Sequence, residues 1–403
     1  MKSEKNKFRI IIVIVLLNSI GMSIILPLLP FLIGKYLPSQ QVVVGMSLLM
    51  SVFAACMFFA APVLGAMSDR YGRRSILMIS LLGSTIGYVL FGIGGALWVL
   101  FLGRIIDGLT AGNISTLFAY ISDCTEPHER TKWFGYIGAA MGIGKLGGPA
   151  LGGILGSINL SLPFYITAGL IFLSALAAYF LLPESLLVEK RSSRISLDSF
   201  NTFSSIKEIF GFKEVGFLLL IGIIYYAGLD VFQFNFSVFL KDLYKWGPVI
   251  IGSVLTIVGI CEIISRALLL PWLLKHFKEK SIGLLGLIGF VTGLGLILIS
   301  IFVHSAVLIS LAIVFIILGD GLFDPTYNGQ LSQSTDESKQ GKLQGVNQSL
   351  QSANNVIIPL FTGAIYFYSP GVLYALTILI VFLAILGYTY VLPRMKPLRS
   401  LDR

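Results

Sequence analysis

Twelve apolar stretches, each long enough to cross a bilayer, occupy almost the whole of this chain of 403 residues. They fall near residues 8–33, 42–66, 75–95, 97–121, 132–156, 162–182, 216–240, 249–273, 281–302, 305–330, 342–367 and 371–392. A helix of roughly 20 apolar residues spans the hydrocarbon core. Inside hydrocarbon, every backbone N–H and C=O must find its partner within the protein, and a helix meets that demand within one segment. The stretches therefore predict an all-α membrane protein with twelve transmembrane helices. With 56% hydrophobic and 12% charged residues, a soluble fold is excluded. The first stretch follows Lys2, Lys5, Lys7 and Arg9, as a secretory signal would. It is too long and lacks a small-residue cleavage site, so it reads as an uncleaved helix.

A net charge of +9 suggests nucleic acid in a soluble chain, but here the charge sorts by topology. Of the 29 Lys and Arg, only Lys35, Lys241 and Lys245 fall on one side of the membrane. Arg104, Lys145 and Arg266 lie within segments, and all the others occupy the termini and alternate loops. The positive-inside rule then places both termini in the cytoplasm of a bacterial-type inner membrane, with lipid and not nucleic acid as the surrounding partner. Cys56, Cys124 and Cys261 have neither pairing nor metal spacing and read as packing residues. No phosphate-binding loop, zinc motif or nucleophile elbow is present, so no enzymatic activity, cofactor or metal is expected. Residues 184–214 form the longest polar stretch and divide six segments from six. The expected organisation is a first bundle over 1–183, a cytoplasmic linker over 184–214 and a second bundle over 215–403. The linker carries either a short surface helix around 199–210 or a solvated spacer.

Between the second and third segments lies a short polar hairpin with Gly65, Asp69, Arg70, Gly72, Arg73 and Arg74. Its glycines let two helix ends approach, and Asp69 is placed to cap a helix N-terminus or to pair with a cation. The hairpin resembles the loop signature G-x-L-a-D-r-x-G-r-k of the major facilitator superfamily, with Met67 in place of Leu. The resemblance implies two six-helix bundles related as parallel repeats. It also implies that helices 1, 4, 7 and 10 line a central cavity, that 2, 5, 8 and 11 flank it, and that the rest face outward. The join at 270–280 occupies the equivalent place in the second half, without the glycines or the Asp.

Eight charges lie within segments: Arg104, Asp107, Lys145, Asp230, Glu262, Arg266, Asp320 and Asp324. Charges at such depth are costly and point to function. All eight fall on segments that the resemblance makes lining or flanking. Arg104 and Asp107, three apart, and Glu262 and Arg266, four apart, share helix faces, as structural ion pairs or as coupling groups. Asp320 and Asp324 share a face as like charges, which suits a proton carrier. Asp230 is the leading candidate for that role, being near mid-depth with no cation one turn away. The eleventh segment carries Gln344, Asn347, Gln348, Gln351, Asn354 and Asn355, as substrate ligands or as interhelical glue. The seventh offers Tyr225, Tyr226 and Phe234 as an aromatic wall for a flat apolar ligand.

In the fifth segment Gly144, Gly148, Pro149, Gly152 and Gly153 match G-x-x-x-G-P-x-x-G-G, which resembles the signature of proton-coupled exporters in the superfamily. Small residues allow close helix contact and the proline bends the helix. Arg104, Gly108 and Gly112 resemble an element implicated in proton transfer. Asp123 stands where the family places an acid that pairs with the loop arginine, here Arg73. The run from Asp123 to Gly153 is most similar to the tetracycline/proton antiporters, except that Asn18 stands where those carry an acid. The reading is a monomeric, proton-coupled secondary exporter of small, partly lipophilic compounds, with Asn18, Lys145, Asp324 and Gln351 among its cavity candidates. A proton-coupled importer of a metabolite is the alternative. A non-transporting membrane sensor is more remote, for it needs a signalling segment that neither the termini nor the linker suggests.

Overall fold

The computed structural model describes residues 2–125, 127–186, 191, 213–334 and 337–391. The helix or spacer expected at 199–210 lies outside the described residues. Among those described, all regular structure is helical. The first segment becomes α1 (Lys2–Ile24) and α2 (Leu29–Ile33), interrupted next to Pro27, which has no N–H to continue the ladder. Next come α3 (Val42–Tyr71) and α4 (Arg73–Ile93), separated by Gly72 alone. Gly72 turns the chain at φ 102°, where a side chain is strained. The fourth segment is broken into α5 (Leu97–Leu109) and α6 (Asn113–Cys124), followed by α7 (Pro127–Ile158) and α8 (Leu162–Leu181).

The second half begins with α9 (Lys213–Tyr244) and α10 (Pro248–Ile264). A π turn over Ser265–Leu269 joins α10 to α11 (Leu270–His276). Then follow α12 (Glu279–Val303), α13 (Ala306–Gln333), α14 (Glu337–Tyr368) and α15 (Pro370–Val391). Among the described residues, nine of the spans are long and apolar enough to cross a membrane by length and composition alone. The broken α5–α6 pair, the glycine-rich α7 and the polar-striped α14 complete the twelve. The chain thus has the twelve-helix fold that its apolar pattern anticipates.

Two compact units form: Met1–Asp198 with Trp246–Ile257, and Ser199–Lys245 with Val258–Arg403. In the first, α1 packs along α7 on a stripe of Gly144, Gly148, Gly152 and Gly156. A Cβ on these would run into Ser19, Ser23, the Ile24 carbonyl and Leu28 in turn. That closeness lets Ser19 Oγ donate to the Met141 carbonyl at 2.7 Å and Ser23 Oγ to that of Gly144 at 3.0 Å. A second face of α7, at Pro149 and Gly153, meets Gly252, and Thr256 Oγ1 donates to the Leu146 carbonyl at 3.3 Å. In the second unit α12 and α13 touch backbone to backbone, with a Cβ on Gly319 only 2.6 Å from the Gly286 carbonyl. Around that contact lies an aromatic core in which Tyr225 packs at a tilt against Phe323 and Phe290, ring centroids 4.4 and 5.3 Å away.

The two adjacent glycines Gly147 and Gly148 provide a controlled test. Nothing lies within 4 Å of a Cβ at Gly147, whereas one at Gly148 meets Ser23 and the backbone of α1. Gly148→Leu should separate α1 from α7, costing about 1–3 kcal/mol of overpacking or more. It should lower the thermal unfolding temperature in detergent and abolish substrate flux in vesicles. Gly147→Leu should change neither. Equal behaviour of the two variants would contradict the packing described.

Candidate functional site

The hairpin after α3 is held by a cluster of charge-assisted bonds. Arg73, at the start of α4, lies 2.5 Å from Asp69 and donates from Nε to Asp123 Oδ2 at 3.0 Å. Its Nη1 also reaches Ser68 Oγ at 3.2 Å. The cap of α4 comes from another carboxylate. Glu184 accepts the backbone N–H groups of Arg73 at 2.8 Å and Arg74 at 3.2 Å. The first N–H groups of a helix lack internal partners, and the helix dipole favours an anion there. Glu184 also accepts from the N–H of Ser185 and Leu186, and Ser185 Oγ donates to Asp123 at 3.0 Å. The Arg74 guanidinium bonds the Tyr179 carbonyl and lies over that ring. Gly72 has no room for a Cβ because Glu184 fills the space, whereas Gly65 is open and Arg70 is exposed. Sequence reasoning treated Glu184 only as a linker charge, and no local spacing marks a partner 111 residues away.

Within α5, Arg104 and Asp107 form an ion pair at 3.6 Å. Arg104 is only 5% exposed and lies between the rings of Phe53 and Phe91, each 4.9 Å away. Ser84 Oγ donates to Asp107 Oδ1 at 2.7 Å. Arg104 Nε is buried without a hydrogen-bond partner. A cation thus sits in a dry aromatic slot with one carboxylate three residues on.

The second unit gathers more. Arg266, inside the π turn, sends Nη2 to Asp320 Oδ2 at 2.9 Å, to Glu262 Oε1 at 3.3 Å and to Asp324 Oδ2 at 3.4 Å. Tyr225 donates to Asp320 Oδ1 at 2.5 Å, and Tyr226 to Asp324 Oδ1 at 2.6 Å. Asn328 Nδ2 adds a bond to Asp324 Oδ1 at 3.0 Å. The like charges of α13 are therefore bridged by a guanidinium from the π turn after α10, a partner that their own helix does not contain. Two members of the polar stripe of α14 also bond within this unit. Asn347 accepts from Tyr327 at 3.0 Å and donates to Asn328 at 3.3 Å, while Asn354 donates to the Ile223 carbonyl at 2.9 Å.

Other candidates stand apart from these networks. Asp230 is buried in α9, and within its own unit no described side chain forms an ion pair or hydrogen bond with it. Asn18 is buried in α1 and donates to the Ile14 carbonyl at 3.1 Å. Lys145 is exposed on α7, and Phe234 and Gln351 are half-buried on α9 and α14. Tyr225 is wholly buried and packs inside its unit, while Tyr226 is half-buried. The side chain of Gln344 lies outside the described residues. Among the described residues no group of three or more His, Cys, Asp or Glu is placed to hold a metal ion.

Comparison with known proteins gives this arrangement its class. The family model of the Major Facilitator Superfamily matches residues 11–359, and the chain belongs to that superfamily. It is 33% identical over 366 residues to the class C tetracycline resistance protein of Escherichia coli, covering 91% of each chain. It is 28% identical to multidrug resistance protein 2 of Bacillus subtilis over 374 residues, again 91% of each. Among solved structures, that of the nucleoside transporter NupG superposes with a TM-score of 0.78, covering 98% of this chain and all of the other at 12% identity. That last likeness concerns the fold alone. Within the superfamily it is similar to proteins named for resistance to tetracycline and to multiple drugs.

The cap on α4 is open to direct measurement. Glu184→Ala removes the acceptor from two helix N-terminal N–H groups, which should cost about 1 kcal/mol and speed local amide exchange about fivefold. Hydrogen exchange followed by mass spectrometry should show this over the first turn of α4. Asp69→Asn should leave that exchange near wild type, because Asp69 is 54% exposed and its pairing is screened.

Proposed function

We propose that the protein exports small, partly lipophilic compounds in exchange for protons, with Asp230 as the acid that loads and unloads. The setting is a bacterial-type cytoplasmic membrane, with both termini in the cytoplasm and the monomer as the working unit. The isolation of Asp230 carries the reading. A buried carboxyl with no cation and no donor among the described residues of its unit can gain and lose a proton without breaking a bond network. The acids of α5 and α13 are each engaged by an arginine and at least one hydroxyl.

The mechanism is alternating access, as in secondary transporters built from repeated helix bundles. Proton binding favours one access state and substrate the other, so neither ligand needs covalent chemistry. The loop cluster of Asp69, Arg73, Asp123 and Glu184 stabilises one closed arrangement on the cytoplasmic side. The close contact of α1 with α7 seals the first bundle against leak. The relatives named above concern resistance to tetracycline and to multiple drugs. Asn18, in place of the acid expected from the tetracycline antiporters, favours a substrate range that differs from theirs.

Substrate-induced proton movement in inverted vesicles, across a panel of lipophilic cations and neutral drugs, tests direction and class together. Asp230→Asn imitates the protonated state permanently. It should cut accumulation driven by a pH gradient to about one-tenth or less, while energy-independent counterflow stays within about threefold of wild type. A variant that still concentrates substrate against its gradient would reassign the proton to another acid.

A further inference from the structure

Arg266 contacts three carboxylates through a single nitrogen, and two local features hold it there. The first is the π turn over Ser265–Leu269, a rare widening of a helix that recurs at functional positions. The second is the seat of that turn on α13. Ser265 is wholly buried, and a Cβ on Gly321, next to Asp320, would run into it. The guanidinium is thereby delivered to the acids of α13, and its own Nε is left buried and without a partner.

Those acids have few oxygens to spare. Asp320 receives Arg266 on Oδ2 and Tyr225 on Oδ1. Asp324 receives Arg266 on Oδ2, and Tyr226 and Asn328 on Oδ1. An ionised carboxylate only accepts, whereas a protonated one must donate from one oxygen. Protonating either acid would set a hydrogen against Arg266 or Asn328, which only donate, or force a tyrosine hydroxyl to reverse and accept. Asp230 has no such donors within its unit. The other groups facing the cluster are Glu262 from α10, half-exposed, and Tyr327 of α13, whose hydroxyl is engaged by Asn347 of α14. Further along α13, Glu279 of α12 lies beside Gly329, and the Tyr388 hydroxyl of α15 bonds Gln330.

We propose that Arg266 is a positioning residue that selects the site of proton loading: by engaging Asp320 and Asp324 as acceptors, it leaves Asp230 as the acid that takes the proton. This rests on the coupling role given to Asp230 above. It makes Arg266 a determinant of coupling that binds neither proton nor substrate. Without the guanidinium, Asp320 Oδ2 and Asp324 Oδ2 are left facing each other's charge, and a proton shared between them replaces the lost cation. The acids of α13 then become a second loading site.

The test uses full-length protein in proteoliposomes, as wild type, Asp230→Asn, Arg266→Gln, Arg266→Lys and the Asp230→Asn/Arg266→Gln double variant. The readouts are accumulation driven by a pH gradient and the pH profile of substrate exchange. Arg266→Gln should add a second proton-dependent step to that profile, and Arg266→Lys, which keeps the cation, should show one step. The double variant should recover accumulation by about tenfold over Asp230→Asn alone, a change in free energy of about 1.4 kcal/mol. An Arg266→Gln profile that superimposes on wild type, with no recovery in the double variant, overturns the proposal. An Asp230→Asn protein that still accumulates substrate overturns the coupling role of Asp230 instead. Infrared difference spectroscopy across pH decides the matter without Arg266→Gln. Wild type should show one titrating carboxyl band that Asp230→Asn removes, and a band removed by Asp320→Asn in its place would refute the selection role.

Discussion

Hydrocarbon supplies no hydrogen bonds, so each helix in this protein must satisfy its own backbone or borrow a partner wherever it departs from regularity. Among the described residues, several of these departures coincide with the candidate functional features. At the break between α5 and α6, the N–H groups of Thr110, Ala111 and Gly112 turn back to the carbonyls of Ile106, Gly108 and Thr110. At Pro149, α7 loses one bond while the adjacent glycines bring α1 close enough for two serine hydroxyls to reach its carbonyls. The π turn after α10 carries Arg266. A regular helix at any of these places would give up a close contact or re-aim a charge.

The same scarcity of solvation governs the charges. A buried ion left without a partner costs several kcal/mol, so internal arginines and acids come as sets. Arg104 balances one carboxylate and is sandwiched by two aromatic rings. Arg266 serves three carboxylates, helped by two tyrosine hydroxyls and an amide. The rigidity of such networks is useful to a transporter, because a fully engaged acid is not free to move protons on its own. Among the described residues of its unit Asp230 is the exception, and an exception of this kind can change charge without breaking a bond network.

The loop cluster shows how the residues that follow α8 become tied into the first unit. The Pro183 carbonyl accepts from Tyr120 at 2.7 Å, Glu184 caps α4, and Ser185 bonds Asp123. Three consecutive residues after α8 are thus tied to α4 and α6, although the charge pattern of the sequence assigns Glu184 and Ser185 only to the linker.

The sequence by itself determined the membrane class, the twelve segments and the pairings that lie along one helix. Arg104 with Asp107 and Glu262 with Arg266 were legible because helical periodicity is local and places residues three or four apart on one face. The glycine spacing of α7 announced a close helix contact, since only small residues permit it. Which helix would fill that contact was decided in three dimensions, by the fit of Ser19, Ser23 and Ile24 against the stripe. The bridge from Arg266 to Asp320 spans 54 residues, that from Tyr225 to Asp320 spans 95, and that from Glu184 to Arg73 spans 111. Such pairs depend on the rotation and depth of one helix against another. Those are set by backbone approach at glycines and by a turn of irregular pitch, neither of which is written in the spacing of the charges themselves.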